Sequence, residues 1–84
     1  MNDKYFRTAS FYIAAFLFAR GFELVNIDKT DPKRCNFVFV DAPEREALLG
    51  VFNFGKENHP EAMVDARKMV FAVRTLKDKL HQSQ

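Results

Sequence analysis

Apolar positions spaced alternately by four and three residues mark the C-terminal part of the chain. Ala62, Ala66, Met69, Val73, Leu76 and Leu80 keep that rhythm, which sets them on one stripe of a helix. Met63 and Val70 widen the stripe to what a globular core needs, and no Gly or Pro interrupts it. A second line, Val64, Arg67, Phe71, Arg74 and Asp78, runs down the opposite side. An outer helix face is ordinarily polar. This one sets a Val and a Phe among arginines, and aromatics with Arg concentrate at interfaces. Two explanations fit: the line is a binding surface, or the fold buries both sides of its last helix.

The rest of the chain reads in order. Lys4–Thr8 is a candidate strand carrying Tyr5 and Phe6. Thr8 or Ser10 then offers a hydroxyl to cap a helix over Ser10–Arg20. Phe11, Ala14, Ala15 and Phe18 form one face of that helix, while Ile13, Phe16 and Leu17 cover most of the remainder. A helix apolar nearly all round must be buried nearly all round. Gly21 supplies its left-handed stop, and Arg20 suits the negative helix end. Phe22–Lys29 and Cys35–Val40 read as a hairpin about the turn Thr30–Arg34, which Asp31 and Pro32 set. Phe37 to Val40 show no polar alternation, so both faces of that strand are expected to be covered. Asp41 with Glu44 approximates a capping box for a second helix reaching about Asn53. Asn58–Glu61 repeats the cap pattern and is expected to open the long final helix. The result is a small α+β domain in the order β-α-β-β-α-α, with an antiparallel hairpin packed against a buried first helix and a long C-terminal helix.

The 84 residues correspond to one domain, with an ordered core expected over about residues 4–80 and fraying from His81 to Gln84. Ten Phe and 48% hydrophobic residues are more apolar content than so short a chain readily hides. Association of copies, most simply a dimer, resolves the excess. A lone Cys35 forms no internal disulfide and fits a reducing cytoplasm. No signal peptide is expected from Met1 to Arg7, and Phe11–Ala19 is too short to span a bilayer.

These residues also resemble a known family. Thr8–Leu17 with its Phe-Tyr-Ile-Ala-Ala run, Gly21-Phe22-Glu23-Leu24, Phe37-Val38-Phe39 with Asp41 and Glu44, Phe54-Gly55, Asp65-Ala66-Arg67 and Leu76-Lys77 are similar to a small domain family of bacteria, archaea and their mobile elements classed as a domain of unknown function. The resemblance spans about Tyr5 to Leu80. It implies a small intracellular domain with no known activity.

Catalytic chemistry finds little support. Cys35, His59 and His81 lack metal-ligand spacing, and neither His is tied to Cys35 as a base for a nucleophile. The three glycines are scattered, so no phosphate-binding loop exists. No cofactor, metal or small-molecule substrate is expected, nor an enzyme. The net charge of +2 permits nucleic-acid contact without demanding it. Lys29, Lys33 and Arg34 at the hairpin turn would join Arg67, Lys68 and Arg74 in one basic patch if the turn lies beside the last helix, although Asp28, Asp31, Asp65 and Asp78 dilute it. The expected function is thus a non-enzymatic interaction domain that self-associates through the Val64–Asp78 line. The alternatives are a nucleic-acid-binding accessory protein and a small factor that binds a different protein.

Overall fold

The computed structural model describes residues 4–31 and 33–82. Pro32 of the expected turn, and Ser83 and Gln84 of the expected frayed end, lie outside that set. Three strands and three helices follow the expected order: β1 (Tyr5–Thr8), α1 (Phe11–Ala19), β2 (Leu24–Asp28), β3 (Asn36–Val40), α2 (Arg45–Phe54) and α3 (Ala66–Gln82). A short 3-10 turn, Pro60–Ala62, lies between α2 and α3. His81 and Gln82 belong to α3, so the helix outlasts the expected fraying point.

The sheet has strand order β1-β3-β2, and β3 is antiparallel to both neighbours. The chain therefore leaves β1, crosses through α1 and returns as β2 on the other side of β3. Phe6 lies opposite Phe39 and Thr8 opposite Phe37 on one side, while Leu24 faces Phe39 and Ile27 faces Phe37 on the other. This face meets the helices. Register slips between Leu24 and Asn26, which makes Val25 an extra residue in β2. Val38 points the other way and is still buried. Arg7 of β1 explains the cover. It starts opposite Val38 and ion-pairs with Asp28 of β2 at 3.0 Å, so its side chain spans the outer face of β3. The outer face is covered at Val38 but not at Val40, which lies on the same side and is exposed, so the expected covering of both faces holds only in part.

Helix α1 is the centre of the core. Ala14, Ala15, Phe16 and Leu17 are buried together with Phe37, Phe39, Leu48, Leu49, Ala72 and Leu76. Aromatic pairs fix α1 in three directions. Phe11 meets Phe37 of the sheet edge-on, Phe16 stacks on Phe52 of α2 at 4.5 Å, and Phe18 stacks on Phe71 of α3. Ser10 caps α1 by accepting from the Ile13 N–H, and Gly21 at φ +98° provides the left-handed exit.

Two helix starts differ from expectation. Asp41 does not cap α2, which begins at Arg45. Its carboxylate instead takes Arg45 Nε and Nη2 at 3.0 and 3.2 Å, and that guanidinium lies 4.1 Å from the centre of the Phe6 ring. The same Oδ1 also accepts the Ala42 N–H at 2.8 Å, so the carboxylate is engaged beside itself in the chain and by Arg45 rather than by the N–H groups of the first turn of α2. The final helix does not open at Asn58–Glu61. His59 Nδ1 accepts the Glu61 N–H, but only the 3-10 turn follows, and the backbone is extended at Met63. Asp65 is the real cap, accepting the Arg67 N–H at 2.8 Å.

This late start also corrects the inner stripe. Met69, Val73, Leu76 and Leu80 pack inward as expected, joined by Ala72, whose side chain is wholly buried. Ala62 belongs to the 3-10 turn, Ala66 is exposed, and Met63 and Val70 are more than half exposed rather than core.

Candidate functional site

The outer line of α3 now has definite geometry. Arg67, Phe71, Arg74 and Asp78 all lie on the helix and are all exposed, opposite the Met69–Ala72–Leu76 stripe. Val64 does not join them. It precedes the Asp65 cap, sits in the extended link and packs part-buried against the core. The helical rhythm through Met63 and Val64 is therefore coincidental, because the backbone there is not helical.

Phe71 is 64% exposed, a large value for a Phe in a folded domain. One side of its ring rests on Phe18, with centroids 6.5 Å apart and planes inclined by 23°. The other side meets solvent. Val70 and Met63, taken from the sequence as core residues, add exposed apolar surface at 55% and 56%. Their signal in the sequence was ambiguous, since each lies at the margin of the inward stripe. Phe18 was readable as a core residue, but its support of Phe71 depends on how α1 and α3 approach.

Beside Phe71 an open cleft of about 580 Å³ runs between the end of α1 and the start of α3. Phe18, Ala19 and Gly21 line one wall, and Asp65, Arg67 and Lys68 the other. Arg67 Nε is 3.8 Å from Asp65 Oδ1, but its side chain is almost wholly exposed, so the pair constrains it weakly. Neither Arg74 nor Asp78 takes part in an ion pair among the described residues.

The basic residues do not form one patch. Lys29 reaches the end of α3, where its Nζ donates to the Leu80 carbonyl at 2.7 Å and lies 3.5 Å from that of Lys79. The hairpin turn is thus beside the last helix, at its C-terminal end. Lys33 and Arg34 line a second cleft there, of about 540 Å³, with Ser10, Cys35 and Leu80. Arg67 and Lys68 occupy the other end, and the 13 residue steps from Arg67 to Leu80 put roughly 20 Å of helix between the two groups. Arg74 stands between them.

Perturbed ionisation lies on the sheet and at the start of α2. The Thr30 hydroxyl and N–H, then Arg7, hold Asp28 down at about 2. The Arg45 guanidinium lowers Asp41, whose charge in turn raises Arg45. Neither arrangement faces a cleft with a nucleophile and a base. Among the described residues no group of three or more His, Cys, Asp or Glu side chains is placed to hold a metal ion. No described helix is long and apolar enough to cross a membrane.

The surface is therefore equipped for contact: a supported aromatic, two extended cations, one anion and an adjoining shallow cleft. No curated protein and no solved structure matches this chain. A family does: residues 3–80 match the one described as Domain of unknown function (DUF5659), and with nearly all of its 84 residues covered the chain belongs to that family.

Proposed function

We propose that this chain is a non-catalytic interaction domain that self-associates through the outer face of α3. The observation that carries the reading is Phe71. Its ring is held from behind by Phe18 yet faces solvent, with Arg67 and Arg74 about a turn away on either side. A monomer gains little from an aromatic in that position, whereas a partner surface gains its full burial. Val70 and Met63 are further exposed apolar side chains on and just before α3. Sedimentation equilibrium over a wide concentration range is the test, with a dimer as the expected species. A monomer at every concentration overturns the reading. Phe71→Glu should dissociate the dimer while leaving the fold intact by circular dichroism. If assembly persists in that variant, this face is not the interface.

The contact of Lys29 with the end of α3 favours a second reading. It brings Lys33 and Arg34 to the same end of the molecule as Lys79, a basic surface suited to phosphates. Binding to mixed-sequence DNA or RNA would then weaken steeply with salt and fall on charge reversal at Lys33 and Arg34. No binding at low salt overturns it.

A further inference from the structure

The order of side chains along α3 sets how two copies would meet, granted the self-association proposed above. We propose that the two α3 helices pair antiparallel about a two-fold axis at the height midway between Ala72 and Val73. Arg67 of each copy then meets Asp78 of the other, and Arg74 of each lies over the Phe71 ring of the other.

The argument is one of spacing. Arg67 and Asp78 lie equally far from that height, at about 8 Å along the helix in opposite directions, and Phe71 and Arg74 lie at about 2 Å. All four project within a narrow strip of the helix surface, because their separations are four, three and four residues. An antiparallel pair exchanges the two ends of this strip, so each residue finds its complement: cation with anion at the ends, guanidinium with aromatic face at the centre. The two Phe71 rings come within about 5 Å of each other along the axis, one on each side of the two-fold. That is the self-complementary contact a two-fold dimer requires.

Other pairings fail on the same residues. Parallel helices would set Arg67 against Arg67 and Asp78 against Asp78. An antiparallel pair centred on Phe71 itself sets Arg67 against Thr75 and Asp78 against Val64, leaving both charges unmatched. The pairing also finds its charges available. Arg74 and Asp78 have no ion-pair partner among the described residues, and Arg67 has only the loose contact with Asp65. Charges at the rim of an apolar contact chiefly fix orientation.

The test is a charge exchange across the two-fold, read as the dimer dissociation constant by sedimentation equilibrium at low salt. Arg67→Asp and Asp78→Arg each place two like-charge pairs in the contact and should weaken the dimer about tenfold. The double variant Arg67→Asp/Asp78→Arg keeps the wild-type net charge and should return to within about threefold of wild type. Lys56→Asp, in the loop after α2, changes net charge as Arg67→Asp does and should leave the constant unmoved. All three positions are exposed, and circular dichroism checks that each variant folds. A wild-type monomer overturns self-association itself. A wild-type dimer that Phe71→Ala weakens but that ignores the single reversals, or that the double exchange fails to restore, overturns this pairing and leaves self-association standing.

Discussion

Helix α1 is apolar along its whole length, helix α3 along one stripe with Val70 and Phe71 besides, and the fold covers the two differently. Helix α1 is held by its flanks: sheet, α2 and α3 each contribute an aromatic partner, and four successive residues, Ala14 to Leu17, are buried. Helix α3 is held by one stripe and by its two ends. Asp65 caps its start, and Lys29 reaches from the hairpin to the carbonyls of its last turns. Burial therefore follows from how much of each helix is apolar together with the neighbours it meets. α1 lies between layers, whereas α3 lies at the margin, where end contacts secure a helix without covering its outer side.

The comparison can be broken at several points. Its largest expected effect is in α1: Phe16→Ala removes a fully buried ring and the Phe52 stack and should cost about 3–5 kcal/mol in denaturant unfolding. A loss under about 1 kcal/mol would show that α1 is not the centre of the core. Next come the small residues on its packed side. Ala15→Leu should cost about 1–3 kcal/mol by overpacking, visible as a lower melting temperature. For α3 the ends should matter. Asp65→Ala should cost about 1 kcal/mol through loss of the cap, and Lys29→Ala a few tenths to about 1 kcal/mol. Phe71→Ala should lower the stability of the isolated monomer by no more than about 1.5 kcal/mol, the scale of one aromatic contact. A cost near that of Phe16→Ala would mean that α3 is as enclosed as α1.

The smallest effect concerns acid. Asp28 has a folded value near 2 against an ordinary 3.8, so its contribution is present above about pH 4 and is lost as pH falls from 4 to 2. Asp28→Asn should make acid unfolding shallower in that window alone. Because the carboxylate is exposed, the change should appear as a modest difference in the acid limb of a stability profile.

Element order was legible because it depends on local signals: the 3.6-residue rhythm of α3, the all-round apolar α1 with Gly21 behind it, and the hairpin about Asp31. Helix starts were less legible, because they turn on which groups each acidic side chain reaches in three dimensions. Nothing adjacent in sequence says that Arg45 will lie over Phe6 and claim Asp41. Nor does the pattern distinguish Asp65 from Asn58 as the cap, since Met63 and Val64 keep the helical rhythm through a link that is extended. The same ambiguity added Val64 to the outer line and left Ala72 out of the inner one. Ala72 is buried in the same core cluster as Ala14 and Ala15 of α1, a grouping that depends on how the two helices pack. The exposed line Arg67, Phe71, Arg74 and Asp78 was legible as a pattern, but the support of Phe71 by Phe18 required the approach of two helices.

The slip at Val25 reaches beyond the hairpin. A three-stranded sheet has two free borders, each able to recruit a further strand. Here one border is broken by an unmatched residue, and the other is only four residues long and carries Arg7. Both traits discourage lateral growth into stacked ribbons. In a chain this rich in phenylalanine, both traits work against fibrous aggregation through the sheet.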